Sequence, residues 1–345
     1  MTAGWYGSNV PGQVDTAELA KLLEAQWGIR AGRIVPIESG RVNSHWRVET
    51  RDSVFVVRRY TVLRSDAAIA AEHLVLDAAR ARGWPVAAPL PGIDGAALAH
   101  AAGGRYSLFP FLRGRPAPLD SQAHRRIKGR LLARLHGDLA GSLERQRDGF
   151  GRAWELDAAL QAAGADSFNS TLARFGETYP DLATVVRRQR YRNLRELSRL
   201  RYGDLPSTVI HADFHHDNLL FTEAELTALL DFDSIRLDAP AYDVALSLVN
   251  DCMAPPEYNV LDCDRAAAFV DGYSRIRPLT SDEVALLPAL LRAAIIAMAA
   301  FRLAEWHMGL NPRAVASIER SVKQRFPGLD VTEPGLMNEL AKLVV

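Results

Sequence analysis

The hydrophobic pattern of the chain changes near residue 112, and this change limits the folds that the chain can adopt. Before that point, short segments with alternating or aromatic-rich sequence predict strands at residues 33–38, 45–50, 53–59 and 105–112. Two amphipathic helices are predicted among these strands, at residues 16–27 and 66–82. We therefore predict that residues 1–112 form a small sheet with one helix, residues 66–82, inserted between its strands.

After residue 112 the periodicity becomes helical, with predicted helices at residues 121–139, 172–201 and 264–309. One β-like interruption, residues 209–233, lies between the last two helical stretches. We therefore predict an α+β protein of two lobes. The N-terminal lobe, residues 1–112, is small and β-rich, and the C-terminal lobe, residues 113–345, is larger and mainly helical.

Composition argues against several classes of protein. Lys and Arg total 41, as do Asp and Glu, so the chain lacks the basic excess expected of a nucleic-acid binder. The most apolar stretch, residues 285–301, contains Pro288 and Arg292, which argue against a membrane span. No signal peptide is recognisable, and Cys252 and Cys263 lack metal-site spacing. We therefore expect a cytoplasmic protein that acts on neither nucleic acid nor membrane.

The β-like interruption carries the residues with the clearest chemistry. Apolar strands enclose a polar loop, residues 211–218, and a turn at residues 222–225 leads back toward Asp231. Such a hairpin brings Asn218 and Asp231 to the same end of two paired strands. A carboxamide and a carboxylate, with no cysteine nearby, make a hard oxygen site that suits Mg²⁺. Asp213 lies five residues before Asn218 and can accept a proton from a substrate hydroxyl.

These residues resemble a known family. His-x-Asp-x-x-x-x-Asn, followed by Asp-Phe-Asp thirteen residues after the Asn, is similar to the catalytic segment of the aminoglycoside phosphotransferase and choline kinase family. Further similar motifs occur in order at residues 40–48, 54–58, 71–76, 107–114, 131–137 and 242–245. The resemblance is greatest to the branch that contains type II homoserine kinase. It implies a bilobal protein-kinase-like fold, ATP or another NTP as phosphate donor, and Mg²⁺.

The resemblance also implies residue roles. Asp213 would be the catalytic base, and Asn218 and Asp231 would bind the metal. The residues that it assigns to the nucleotide are Asn43, Ser44, Arg58, Glu72, Phe109 and Phe111. Of these, Asn43 and Ser44 belong to a phosphate-covering loop at residues 40–44, and Phe109 and Phe111 to a hinge that holds adenine. Arg58 stands where the family usually has Lys, and Glu72 would be its ion-pair partner.

We therefore expect a kinase that phosphorylates a hydroxyl group of a small molecule: an amino alcohol, a sugar, a nucleoside or an antibiotic. Two alternatives stay open, a catalytically inactive nucleotide-binding regulator and a metal-dependent hydrolase that uses His211, His215 and His216. A protein acceptor is disfavoured, because Asp231-Phe-Asp233 is not followed by an activation segment. For Asp233 two roles stay open, a second contact to the metal or a group that supports the metal ligands or faces the substrate.

Charge does not identify the acceptor. Seven arginines lie in residues 187–201. They either form a solvated helix face or make a basic rim that would suit an anionic substrate. Asp251, Glu257 and Glu305 would instead suit an amine. Acceptor pockets of the resembling family are built by variable helices, here residues 150–205 and 250–312, which carry no recognisable motif.

Overall fold

The structure is a computed structural model, and it describes residues 15–37, 42–101, 103–118, 121–253 and 260–341. The chain divides into two compact units, Met1–Arg113 and Gly114–Val345. Gly40 and Glu257 lie outside the described residues, so the predicted loop at residues 40–44 is described only at its end. The assignment of nucleotide binding to the first unit and acceptor binding to the second stays a prediction.

The first unit contains a five-stranded antiparallel sheet in the order β1-β2-β3-β5-β4. Its strands are β1 (Arg33–Ile37), β2 (Ser44–Glu49), β3 (Val54–Arg59), β4 (Ala99–Ala101) and β5 (Gly104–Pro110), and its helices are α1 (Thr16–Trp27) and α2 (Asp66–Ala81). The four predicted strands and both helices are confirmed within one or two residues at most bounds, and β4 was not predicted. Asp15 caps α1 and Gly28 ends it in the left-handed conformation, as its sequence indicates.

The core of the first unit lies between α1 and one face of the sheet. Leu19 and Leu23 of α1 pack with Trp46 and Val48 of β2 and with Leu108 of β5. Alternate residues of each strand face this core because side chains alternate across a strand. The opposite face of the sheet carries Arg58.

The second unit is mainly helical, with short strands. Its strands are β6 (Arg115–Pro116), β7 (Thr208–Ile210), β8 (Leu219–Thr222), β9 (Glu225–Leu229) and β10 (Arg236–Asp238). Its helices are α3 (Gln122–Asp138), α4 (Asp157–Ala162), α5 (Phe168–Thr178), α6 (Pro180–Arg199), α7 (Pro240–Asp251), α8 (Cys263–Ser274), α9 (Ser281–His307), α10 (Ala314–Arg320) and α11 (Phe326–Ala341). A π-helical stretch, Ser321–Arg325, joins α10 to α11. The predicted α+β class is confirmed.

Two long helical predictions were wrong, because each covers two helices. Residues 172–201 divide between α5 and α6, and Pro180 occupies the first turn of α6, where its missing N–H breaks no helical hydrogen bond. Residues 264–309 divide between α8 and α9, and Thr280 begins α9 with a capping box to Glu283. Each break is marked by a local sequence signal, Pro180 or Thr280, but the hydrophobic periodicity continues across it.

Helix α9 is long and apolar enough to cross a membrane, but 72% of its most apolar window is buried inside the protein. Pro288 lies within α9 and does not interrupt it, in keeping with the helix predicted through this position. Buried residues on both sides of Pro288 hold the helix together by packing, which outweighs one missing backbone hydrogen bond. Burial to this extent is typical of a helix in the core of a protein.

Candidate active site

The hairpin formed by β8 and β9 places Asn218 beside the end of β9. Leu219 pairs with Leu229, and the backbone N–H of Leu230 donates to the carbonyl oxygen of Asn218 at 2.8 Å. Asp231 follows Leu230 directly, so Asn218 and Asp231 lie at the same end of the hairpin. Their roles as metal ligands stay predictions.

Asp213 and Asn218 are joined by hydrogen bonds. Nδ2 of Asn218 donates to the backbone oxygen of Asp213 at 2.9 Å and to its Oδ2 at 3.0 Å. Nε2 of His215 lies 3.5 Å from Oδ1 of the same carboxylate. Burial alone would raise the pKa of Asp213, but the hydrogen bond and charge of His215, with further contributions from His211 and Asn218, hold that pKa below its ordinary value. Asp213 is therefore an ionised hydrogen-bond acceptor at neutral pH.

The same hydrogen bonds orient the carboxamide of Asn218. Because Nδ2 makes both contacts to Asp213, Oδ1 must point away from that carboxylate. Asp231, one residue beyond the hairpin, has a left-handed backbone with φ of 56°, an uncommon conformation for a residue other than glycine. The two side chains offer the oxygen ligands that Mg²⁺ prefers, so the residues present fit this ion.

Asp243 holds the first half of the polar loop. Its carboxylate accepts the backbone N–H groups of His211 at 2.8 Å and of Ala212 at 2.9 Å, and Ala212 has a φ of 60°. The carboxylate also contacts Nε2 of His136 at 2.9 Å, whose Nδ1 is 2.9 Å from the hydroxyl of Tyr273. This buried chain fixes the strained turn immediately before Asp213.

A second buried carboxylate holds the other half of the loop. Oδ1 of Asp251 accepts the backbone N–H of His216 at 3.0 Å, and its other oxygen forms a short ion pair with Lys128 of α3. Asp251, one of the acids suggested to suit a substrate amine, is instead fully buried and engaged by these contacts within the protein. Sequence reasoning missed Lys128, although its spacing of four and eight residues before Leu132 and His136 places it on the buried face of α3.

Glu305, the other described acid expected to suit an amine, is occupied by the protein in the same way. Its Oε2 contacts Nη1 of Arg302 at 2.5 Å and Nδ2 of Asn311 at 2.9 Å. The Glu305 carboxylate, like that of Asp251, is thus engaged by other side chains of the protein.

The histidines of the loop contain a potential metal cluster, but its internal contacts disfavour zinc. One ligand atom from each of His215, His216 and Asp217 lies within 4.8 Å of the others. Nδ1 of His216 faces Asp251 at 3.2 Å and its Nε2 faces Asp217 at 3.1 Å. Burial alone would lower the pKa of His216, but Asp217 and Asp251 raise it to about 9, so both nitrogens carry protons at neutral pH. A metal ion would therefore have to displace a proton that two carboxylates hold on this imidazole.

Asp233 is engaged by Arg147. This buried arginine donates to the backbone oxygen of Asp233 at 2.5 Å, and its Nη2 lies 3.8 Å from Oδ1 of Asp233. The carboxylate is thus directed toward a buried cation, which argues against the suggested second metal contact. Asp231 is the acid of this segment that remains a candidate ligand.

The first unit contains the predicted pair of Arg58 and Glu72. Nη1 of Arg58 lies 2.6 Å from Oε1 of Glu72, and the Glu72 side chain is fully buried. Nε of Arg58 donates to Nε2 of His45 at 3.0 Å, a partner that sequence reasoning missed. The guanidinium carbon lies 5.0 Å from the centre of the Phe109 ring. The guanidinium of Arg58 therefore lies against both Glu72 and Phe109.

The remaining predicted nucleotide residues occupy varied positions in the same unit. Asn43 is buried, and its Oδ1 accepts the backbone N–H of Thr61 at 3.0 Å, so this oxygen orders the chain after β3. Ser44 begins β2 opposite Arg59. Phe111 follows β5 and lies under the guanidinium of Arg47, at 5.2 Å. Roles of these residues in nucleotide binding stay predictions.

Comparison with known proteins identifies the family. The model of the phosphotransferase enzyme family (APH) matches residues 33–279. The homoserine kinase of Methylobacterium radiotolerans is 31% identical over 297 residues, covering 85% of this chain and 87% of that protein. Two solved structures share the fold over most of their length. An amicoumacin kinase in complex with AMP-PNP and Ca²⁺ has a TM-score of 0.69, 19% identity and coverage of 92% and 94%.

The second structure, a microcompartment-associated aminopropanol kinase, has a TM-score of 0.61, 18% identity and coverage of 94% and 98%. These comparisons confirm the predictions of a protein-kinase-like fold and of a small-molecule kinase. Matches over most of the chain, by family model and by a curated relative, thus agree with the order of the sequence motifs. The chain therefore belongs to the phosphotransferase enzyme family.

Proposed function

We propose that this protein is an ATP- and Mg²⁺-dependent kinase that transfers the γ-phosphoryl group to the hydroxyl of a small amino alcohol, with homoserine as the first candidate. The observation that carries the proposal is the loop in which an ionised Asp213 is hydrogen-bonded to Asn218, beside Asp231. A regulator without activity would be expected to lack one of these groups.

In the proposed reaction Asp213 orients the acceptor hydroxyl and accepts its proton. The bond between hydroxyl oxygen and γ-phosphorus forms while the bond between γ-phosphorus and the bridging oxygen breaks, and the electron pair leaves with ADP. Asn218 and Asp231 would hold Mg²⁺, which when bound neutralises charge on the phosphate oxygens. Arg58, held by Glu72, would contact the phosphates.

The relatives favour homoserine over the other acceptor classes. The homoserine kinase of Methylobacterium radiotolerans extends over most of this chain, whereas the solved kinases of other small molecules are similar in fold at under 20% identity. Homoserine is an amino alcohol with a primary hydroxyl. An antibiotic, a sugar and a nucleoside are the comparison acceptors for the test.

The test measures ADP release from ATP and Mg²⁺ with L-homoserine, aminopropanol, an aminoglycoside, a sugar and a nucleoside. We expect L-homoserine to have the highest kcat/KM, with the product phosphorylated on oxygen as seen by ³¹P NMR. Chelation of divalent ions should abolish turnover. Turnover of only another acceptor would overturn the homoserine assignment, and absence of ATP consumption with every acceptor would contradict the kinase proposal.

Substitution of Asp213 tests the role of the loop. Asp213→Asn keeps the size of the side chain but removes the proton acceptor, so kcat should fall at least about a hundredfold. Binding of AMP-PNP with Mg²⁺, measured by calorimetry, should persist. Glu223→Gln, at the exposed turn of the same hairpin, is the matched control and should leave kcat unchanged. Retention of more than a few per cent of turnover in Asp213→Asn would refute the assigned role.

A further inference from the structure

The guanidinium of Arg58 is held at two of its nitrogen atoms. Glu72 of α2 contacts Nη1 at 2.6 Å, and His45 of β2 accepts a hydrogen bond from Nε at 3.0 Å. The side chain of Arg58 is 11% exposed, so these contacts are largely removed from solvent. A planar group fixed at two nitrogens has one orientation, and the direction of its remaining edge is set.

The strand register explains why His45 is at this position. His45 lies directly opposite Arg58 in the antiparallel pair of β2 and β3, and Arg58 lies directly opposite Ser107 of β5. Directly opposed residues project from the same face of a sheet, so all three side chains share a face. His45 is therefore placed beside Arg58 by backbone pairing.

The contact also defines the tautomer of His45. The Nε of an arginine always carries a hydrogen and cannot accept one, so Nε2 of His45 must be the acceptor. The ring is then neutral, with its proton on Nδ1. A lysine at position 58 would not need this partner, because an ammonium is a compact charge without a plane to be oriented.

We propose that His45 is a positioning residue for nucleotide binding, which orients the guanidinium of Arg58 through the contact at Nε. This inference rests on the proposed function, since Arg58 is expected to contact the phosphates of ATP. Neither the sequence motifs nor the family assignment gives His45 a role. The proposed role of His45 accounts for the use of Arg in place of Lys on β3, because Arg58 and His45 act as a pair.

The test is a double-mutant cycle with His45→Leu and Arg58→Lys. His45→Leu should raise the KM for ATP about tenfold, the size expected for one hydrogen bond to a charged group, and leave the KM for the acceptor within about twofold. His45→Gln, whose amide oxygen can accept from Nε, should restore the KM for ATP to within about threefold. In the Arg58→Lys background, His45→Leu should have no further effect.

Controls separate this role from a loss of folding. His100→Leu alters a histidine of β4 in the same sheet and should leave the KM for ATP unchanged. Should His45→Leu unfold, His45→Asn serves instead, because its amide is too short to reach Nε. Thermal melting and affinity for AMP-PNP with Mg²⁺ are measured for every variant.

The outcomes distinguish this inference from the proposed function. If the wild-type protein neither binds AMP-PNP nor consumes ATP, both fail. If the wild type is active and His45→Leu leaves the KM for ATP unchanged, only the role of His45 is wrong. The same conclusion follows if His45→Leu has an equal effect with Lys at position 58, since the histidine then acts through packing.

Discussion

His216 lies between two carboxylates, and its charge couples the polar loop of residues 211–218 to the protein interior. Its ring nitrogens face Asp251 at 3.2 Å and Asp217 at 3.1 Å. Burial alone would raise the pKa of Asp251, but the hydrogen bonds from His216 and the charge of Lys128 lower it to about 2. At neutral pH a buried anion is therefore held by two cations from different elements.

This arrangement predicts a pH-dependent stability. The pKa of His216 is raised to about 9 from its unperturbed value of 6.5, so its contribution is fully present below pH 6.5 and is lost as the pH rises through about 9. The free energy of unfolding should fall by about 2 kcal/mol across this window. Urea denaturation at pH 6.5 and 9.5 measures this change.

His216→Asn is the variant that tests the origin of this slope. Asn keeps the backbone N–H that bonds Asp251 but cannot be charged, so the fall between pH 6.5 and 9.5 should become smaller. His100→Asn, at an exposed position of β4, is the control and should keep the wild-type slope. Equal slopes in wild type and His216→Asn would contradict the assigned charge.

At the scale of elements, α3 and α8 approach each other so closely that glycine is required in both. A Cβ added to Gly129 of α3 would lie 2.1 Å from the backbone oxygen of Phe269, and one added to Gly272 of α8 would lie 2.1 Å from that of Arg126. Backbone atoms cannot move aside as a side chain can. Because α3 also carries Lys128 and His136, this contact supports both groups that hold the buried carboxylates beside the polar loop.

Gly129→Ala should therefore separate the two helices and lower the free energy of unfolding by about 2–3 kcal/mol or more. The matched control is Gly137→Ala in the last turn of the same helix, where an added Cβ meets nothing within 4 Å. It should be neutral or stabilise by up to about 1 kcal/mol, the difference in helix propensity. Similar urea midpoints for the two variants would show that the close approach is not a constraint.

At the scale of the whole molecule, the apolar helix α9 is held in the protein by a buried polar contact as well as by packing. Arg292, 3% exposed, donates to Gln189 of α6 at 2.8 Å and to Asp330 of α11 at 2.7 Å. One guanidinium thus joins three helices that are distant in sequence. A charge at the centre of an apolar helix is tolerated because it is hydrogen-bonded to Gln189 and paired with Asp330, with Glu333 of α11 at 3.5 Å.

Replacing this arginine should destabilise the fold. Arg292→Met leaves Gln189 buried without its cation and should cost about 2–4 kcal/mol in the free energy of unfolding. Arg192 contacts the same Asp330 at 3.1 Å from an exposed position, so Arg192→Met is the matched control and should cost less than about 1 kcal/mol. If urea denaturation shows that both variants lose the same free energy of unfolding, burial does not determine how much the contact stabilises the fold.

The sequence alone was enough to predict features that depend on residues close to one another along the chain. Periodicity predicted most elements of the first unit, because side-chain spacing reports local backbone geometry. The spacing of Asn218 and Asp231 predicted their common end of a hairpin, because one strand pair joins them. The long predictions at residues 172–201 and 264–309 failed where Pro180 and Thr280, also local signals, were passed over.

The tertiary structure alone decided which groups surround the candidate site. Lys128 reaches Asp251 across 123 residues of sequence, and Arg147 reaches Asp233 across 86. In the sequence each is only a charge within a helical or polar stretch, and its partner depends on which elements pack together. His45 is similar, because its position opposite Arg58 is set by strand register. Local patterns determine which residues are available for chemistry, and long-range packing determines how they are oriented and charged.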